Sequence, residues 1–342
     1  MDEITPPRLG RFLEDSMPAW SRVEIERLDR LPMGGSRETY RIDAAVEMRD
    51  GTHEGHQLIL RRDPPASLVD SDRRTEYESY RAIHGRGLPV PRMILLEMDP
   101  GKLGGAVSIS EDLRGFHNSE YQLQEPAWRR FLPSLAEQMW DYTGKLAAVD
   151  IRELGLESFM QPASPESVAG QELDQWIAKF RANSTCPDPI MEAAIRRLRR
   201  NPPVAQKLAM VHGDFRAGNF LYDDEGRIRA ILDWEMAHIG DPLEDLAWSL
   251  NRSFCFGKDD RRSGLARREE AIAIWEKASG MMADPQALAW YELFSDVKAQ
   301  ALWASAANVW TTGVNRDIIL AYASWWLQNT QNKAMLETMG RL

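Results

Sequence analysis

The chain has 342 residues, 43% of them hydrophobic, which is enough core for about two domains or one two-lobed enzyme. A net charge of −10 makes it a poor non-specific binder of nucleic acid or anionic membrane. Two cysteines, Cys186 and Cys255, exclude a disulfide framework, and no apolar run approaches the ~18 residues of a membrane span. Residues 1–7 show no basic segment followed by an apolar one, so no export signal is read and a cytoplasmic protein with reduced thiols is expected.

Apolar residues at helical spacing (Leu9, Phe12, Leu13, Met17) predict a helix over 8–17, interrupted by Pro18. Val23 and Ile25 alternate with charged residues and open a first strand. Leu31 to Ile42 reads as extended runs joined by a turn at Gly34-Gly35-Ser36. Asp50-Gly51 is a second turn, and His56–Arg62 a strand that Pro64-Pro65 ends, because proline has no ladder N–H. A helix follows over 72–85, then strands at 92–98 and 106–109. Beyond Glu111–Gly115 the spacing becomes helical, over 126–149, 166–183, 188–200, 243–252, 266–279, 285–309 and 316–338. The exception is 208–236, short strands around the hairpin signal Asp223-Asp224-Glu225-Gly226. The expected organisation is α+β: a β-rich lobe over 1–110, a hinge over 111–115 and a helical lobe over 116–342.

The sheet insert carries the chemistry. Val211-His212-Gly213-Asp214-Phe215-Arg216-Ala217-Gly218-Asn219 is followed by Ile231-Leu232-Asp233-Trp234-Glu235. Phosphoryl transfer needs a carboxylate to orient a hydroxyl and take its proton, and hard oxygen ligands to hold Mg²⁺ on the phosphates. Asp214 supplies the first and Asn219 with Asp233 the second. His-x-Asp-x4-Asn followed by an Asp, expected on a strand spanning 231–235, is the spacing of protein kinases. His212 is read as a structural hydrogen bonder, Asp241 as a helix cap, and Asp245 as a group bonding back to the catalytic loop. The late aromatics Trp290, Tyr291, Trp303, Trp310, Trp325 and Trp326 are read as core, with a subset left to line an apolar pocket. The basic run 196–200 is read as ending a helix favourably for its dipole.

These two blocks resemble the aminoglycoside phosphotransferase/choline kinase superfamily. So do Leu60-Arg61-Arg62-Asp63-Pro64-Pro65, Arg74-Thr75-Glu76-Tyr77, Leu88-Pro89-Val90-Pro91 and Gly170-Gln171-Glu172-Leu173-Asp174-Gln175-Trp176. The resemblance is nearest to the subgroup whose kinase-like domain is fused to some acyl-CoA dehydrogenases. It implies a bilobal protein-kinase-like fold, with ATP and Mg²⁺ as cofactors and a small-molecule hydroxyl as acceptor, and neither nucleic acid nor membrane as partner. It also implies a monomer or homodimer.

Residue by residue, it implies Asp214 as the base, Asn219 and Asp233 as Mg²⁺ ligands, and Glu235 beside a second metal or a metal-bound water. Arg61 stands where relatives carry a phosphate-gripping lysine, with Arg62 as its rival, and Glu76 as its helix partner. Gly34, Gly35 and Ser36 match the phosphate-covering loop, which carries Arg37-Glu38 where many relatives have small or amide residues. Glu111, Asp112 and Leu113 match the hinge that meets adenine. Hydroxy acids, hydroxyacyl thioesters or other amphipathic alcohols are the favoured acceptors. An antibiotic O-phosphotransferase and a nucleotide-binding pseudokinase remain open alternatives. The lack of an Asp-Phe-Gly and Ala-Pro-Glu activation segment argues against a protein kinase.

Overall fold

The computed structural model describes residues 3–31, 37–63, 72–255 and 260–342. The expected phosphate-covering residues Gly34, Gly35 and Ser36 lie outside them. The chain divides into two compact units, Met1–His84 with Val90–Gly115, and Gly85–Pro89 with Phe116–Leu342.

The first unit is an antiparallel sheet with helices. Its strands are β1 (Trp20–Leu31), β2 (Glu38–Met48), β3 (His53–Arg62), β4 (Met93–Glu97) and β5 (Val107–Glu111), in spatial order β1-β2-β3-β5-β4. Period-two alternation sorts its faces. Ile42, Ala44, Val46, Leu58, Leu60, Val107 and Ile109 form one core with Leu9, Phe12 and Leu13 of α1 (Pro6–Ser16). Burying each Val, Leu, Ile or Phe of this set contributes about 1.5–3 kcal/mol. Gly10 lets α1 approach β1 closely, since a Cβ there would sit 2.8 Å from the Val23 carbonyl oxygen. Arg62 shares the face of Leu58 and Leu60 and is 2% exposed. Arg61 therefore projects from the opposite face, the face of α2 (Arg73–Ile83). Asp72 caps α2 by accepting from the Arg74 N–H.

The second unit is mainly helical. A short α3 (Pro100–Leu103) belongs to the first unit; here follow α4 (Leu132–Ala148), α5 (Val168–Asn183), α6 (Pro189–Leu198), α7 (Leu243–Ser249), α8 (Arg268–Ser279), α9 (Pro285–Thr311), α10 (Ile318–Tyr322) and α11 (Gln328–Thr338). Two small antiparallel ladders carry the segments expected to be catalytic. They are β6 (Ala209–Val211) with β9 (His238–Gly240), and β7 (Phe220–Tyr222) with β8 (Ile228–Ile231).

Three expectations are corrected. The helix expected from 126 starts at Leu132, after a 3₁₀ turn over Arg129–Phe131. The helix expected over 316–338 is divided by a π-helical turn, Ala323–Leu327, between α10 and α11. The strand expected over 231–235 ends at Ile231. The chain turns there to bury Trp234, which is 0% exposed and packs its ring 4.5 Å from that of His212. Of the late aromatics, Trp290 and Tyr291 are core, whereas Trp325 and Trp326 are 68% and 51% exposed.

Candidate active site

The loop expected to be catalytic joins β6 to β7, and its backbone conformation comes from one glycine. Gly213 has φ of 84°, and a Cβ there would lie 2.5 Å from the Met236 carbonyl oxygen. Only glycine fits this combination of left-handed backbone and close approach. Asp245 on α7 clamps the loop, accepting from the N–H groups of His212 (2.7 Å) and Gly213 (2.9 Å). Burial raises the Asp245 pKa, against the opposing pull of His212 and these two N–H groups. His212 is fully buried. Its Nδ1 accepts from the Asp214 N–H (3.1 Å), which leaves Nε2 to donate to the Leu232 carbonyl (2.9 Å). Both ring nitrogens are thus committed to backbone, as the structural reading of His212 required. Asp241 accepts from the Leu243 N–H (2.9 Å) at the start of α7.

Asp214 is held at both oxygens. Trp248 Nε1 donates to Oδ1 (2.7 Å), and Asn219 Nδ2 donates to Oδ2 (2.6 Å) and to the Asp214 carbonyl (2.8 Å). The Arg216 guanidinium lies 3.3 Å from Asp214 Oδ1 and 2.9 Å from Glu120 Oε2. Burial opposes the charge on Arg216, but Asp214, Glu120 and Asp233 outweigh it and hold its pKa above the ordinary value. Because Asn219 spends its amide N–H groups on Asp214, its oxygen is turned away from that carboxylate. Asp233 follows β8 in the left-handed conformation (φ 69°, ψ 57°), and Glu235 sits in the next 3₁₀ turn at 9% exposure. Asn219, Asp233 and Glu235 thus offer only oxygen ligands, which suits Mg²⁺ and not a soft metal.

Behind the loop lies a buried charge network. Lys298 of α9 donates to the Gly213 carbonyl (2.6 Å) and to Glu244 Oε1 (2.8 Å), and stands over the rings of Trp248 (4.8 Å) and Trp176 (5.4 Å). Glu244 also meets His238 Nε2 at 3.2 Å, and Glu172 lies 3.9 Å from the same nitrogen. Burial acts against a charged His238, but Glu172 and Glu244 prevail and raise its pKa to about 10. Glu244 is lowered to about 2: burial works against its charge, and Lys298 and His238 overcome it. Glu172, His238 and Glu244 converge closely enough to ligate a metal. Lys298 already bonds Glu244 beside them, so the trio is part of a buried ion-pair network.

In the first unit, Arg61 Nη1 meets Glu76 Oε1 at 2.5 Å, and Arg73 holds the other Glu76 oxygen at 2.8 Å. Glu76 is 1% exposed. Arg62 is spent on Glu38, the Leu103 carbonyl (2.8 Å) and the Tyr40 hydroxyl (3.2 Å). The geometry therefore gives Glu76 to Arg61 and removes Arg62 as its rival. Arg37 pairs with Asp63 at 3.3 Å. At the expected hinge, the Glu111 and Asp112 N–H groups donate to the Arg92 and Gln57 carbonyls, and the Asp112 carboxylate binds Arg41 and Arg114. Among the described residues, the Leu113 N–H has no backbone partner.

The family model described as "Phosphotransferase enzyme family" matches residues 29–308. The chain belongs to this phosphotransferase family. Acyl-CoA dehydrogenase family member 10 of Mus musculus is 29% identical over 251 residues, which cover 72% of this chain and 22% of that protein. The chain thus spans about a fifth of that relative, in which it corresponds to the kinase-like domain. A structure described as a putative aminoglycoside phosphotransferase from Ralstonia eutropha superposes with a TM-score of 0.74 at 16% identity, covering 99% of both chains. An aminoglycoside phosphotransferase solved as a ternary complex with streptomycin and ATP superposes at 0.55 and 16% identity, covering 88% of this chain and 91% of that one. The fold of this phosphotransferase is kinase-like, with a small antiparallel-sheet lobe and a helical lobe. No helix among its described residues is long and apolar enough to cross a membrane.

Sequence reasoning missed Lys298, Trp248 and Arg216. Arg216 lay inside the catalytic block without a role. The signal for Lys298 was a lone cation in the apolar run 297–306, a position no solvated helix face would occupy.

Proposed function

We propose that this phosphotransferase moves the γ-phosphoryl group of ATP to a hydroxyl of a small molecule. The observation that carries the reading is the hold on Asp214, whose two oxygens are fixed by Trp248 and Asn219. A carboxylate restrained in this way can accept a hydrogen bond from an acceptor hydroxyl and take its proton as the bond to phosphorus forms. Asn219 and Asp233 would hold Mg²⁺, with Glu235 as a further oxygen ligand; bound Mg²⁺ neutralises charge on the phosphates. Arg61, oriented by Glu76, contacts the phosphates, and Arg216 supplies a second fixed cation next to the base. The Leu113 N–H is the hinge donor for a nucleobase. Positioning and electrostatics carry most of the rate enhancement, because the transition state is loose.

The acceptor reading favours hydroxy acids, hydroxyacyl thioesters or other amphipathic alcohols. The exposed aromatics Tyr322, Trp325 and Trp326 suit an apolar body better than a polycation. The kinase-like domain of the acyl-CoA dehydrogenase relatives points the same way. The streptomycin complex keeps an antibiotic acceptor as the second reading.

The test is mass-spectrometric detection of phosphorylated product from Mg²⁺·ATP. The acceptor panel comprises 3-hydroxy acids, hydroxyacyl-CoAs, aminoglycosides and macrolides. Asp214→Asn is expected to cut turnover by about 10²–10⁴ while nucleotide binding stays within about twofold. Wild-type turnover in Asp214→Asn would refute the assignment of the base. No product with any acceptor, with ATP still bound, would favour the pseudokinase reading.

A further inference from the structure

A cavity of about 220 Å³ opens where α6, α8, α9, α11 and the segment after α7 converge. It shares no lining residue with the catalytic set. Asp296, on its wall, stands two residues before Lys298 on α9, about 200° around the helix. Cavity and catalytic loop therefore lie on opposite sides of α9.

The lining is cationic in an acidic chain. Arg197, Arg252, Arg262 and Arg268 face three carboxylates, those of Glu292, Asp296 and Glu337. One of these is already neutralised, since Arg268 grips Glu292 through two bonds (2.7 and 3.1 Å). Among the described residues, the ion pairs of Arg252 are long, 3.6 Å to Asp260 and 3.8 Å to Glu337.

Two deeply buried side chains also present polar atoms there with no hydrogen-bond partner among the described residues. Arg262, 3% exposed, reaches Asp260 (3.4 Å) through Nη2 and the Cys255 sulfur (3.8 Å) through Nη1, but its Nε has no partner. Asp296, 2% exposed, accepts from Asn251 (3.2 Å) and Gln331 (2.6 Å) at Oδ1, while Oδ2 has no partner. The neighbouring Thr338 hydroxyl is turned to the Ala334 carbonyl (3.0 Å). Buried donors and acceptors are almost always partnered, so two orphans on one cavity wall call for a resident partner. Burial raises the Asp296 pKa to about 7 against the pull of the nearby Thr338, Gln331 and Asn251 side chains.

We propose that this cavity is a second ligand site, built for a small oxyanion that also carries a hydrogen-bond donor. The anion lies against Arg262 and Arg252, and the donor reaches Asp296 Oδ2. Inorganic phosphate and a short hydroxycarboxylate both meet this description. Their source is distinguished by titrating each separately.

Isothermal titration of the full chain with inorganic phosphate, 3-hydroxybutyrate and butyrate tests the site. Saturable binding of phosphate or 3-hydroxybutyrate is expected, with butyrate, which lacks the donor, about tenfold weaker. Asp296→Ala, which removes the acceptor, and Arg252→Gln should each weaken binding by about tenfold, and Asp214→Asn should leave it unchanged. Arg252 is 42% exposed on its side chain, so its replacement tests the site without removing a buried charge. No saturable heat with any probe overturns the proposal, because the cavity then holds solvent only. Binding that persists unchanged in both Asp296→Ala and Arg252→Gln overturns it, as does binding lost in Asp214→Asn.

Discussion

Arg61 and Arg62 are adjacent, chemically identical and opposite in consequence. Arg61 lies across Glu76 with a partly open guanidinium, while Arg62 is enclosed and bonded to Glu38, Tyr40 and the Leu103 carbonyl. Arg62→Ala should leave Glu38 short of its main partner and cost about 3–5 kcal/mol in urea unfolding. Arg61→Ala should change stability far less and raise the KM for ATP about tenfold or more, as loss of a charge-assisted contact does. The reverse pattern would exchange their roles. Lys298 offers a third test at this scale. Lys298→Met strands Glu244 without its strongest partner and removes the bond to the Gly213 carbonyl. It should cost about 3–5 kcal/mol, and Lys298→Met combined with Glu244→Gln should recover part of that loss.

Among the elements, α4 and α8 pack closely at Gly144, where a Cβ would stand 2.7 Å from Ala278 Cβ and 2.8 Å from the Trp275 carbonyl oxygen. Gly144→Ala gains helix propensity yet should lower stability by about 1–3 kcal/mol, because backbone must move to admit the methyl. Calorimetric melting of the pair of proteins measures which effect wins. Elements with strong periodicity were legible in the sequence, as α1, β3, α5 and α9 show, because hydrophobic spacing and proline or turn residues mark them directly. The 231–235 segment was not. Its alternation of Ile231, Asp233 and Glu235 imitates a strand, but the burial of Trp234 beneath His212 decides the backbone, and that is a long-range contact. The candidate site divides the same way. Asp214, Asn219 and Asp233 were proposed from the spacing of two neighbouring blocks. Trp248 and Lys298, which hold the first of them in place, come from helices 34 residues beyond Asp214 and 85 beyond Gly213.

At the scale of the whole molecule, the buried ionisable groups set how stability responds to pH. His238 has its folded pKa raised to about 10 from an ordinary 6.5, so the folded state keeps a proton that the unfolded chain releases. Its contribution is complete below pH 6.5 and is lost as pH rises toward 10. Within that window it tilts the unfolding free energy downward by up to about 1.4 kcal/mol per pH unit. His238→Gln should flatten this slope in urea titrations at pH 7, 8 and 9; an unchanged slope would mean that His238 is neutral in the fold. Asp296 and Asp241, raised to about 7 and about 6, pull in the same direction at lower pH, between about 4 and 7.

Asp233 holds a backbone conformation that costs a side-chain-bearing residue about 1 kcal/mol or more, and that glycine would adopt freely. Under the proposed metal-holding role of Asp233, selection for folding and selection for chemistry disagree at this position. A population of variants enriched only for thermal endurance should drift toward glycine at 233, and its survivors should outlast the parent on heating while having lost phosphoryl transfer. Deep sequencing of such a selection, beside one that also demands turnover, would show the aspartate persisting only where the reaction is needed.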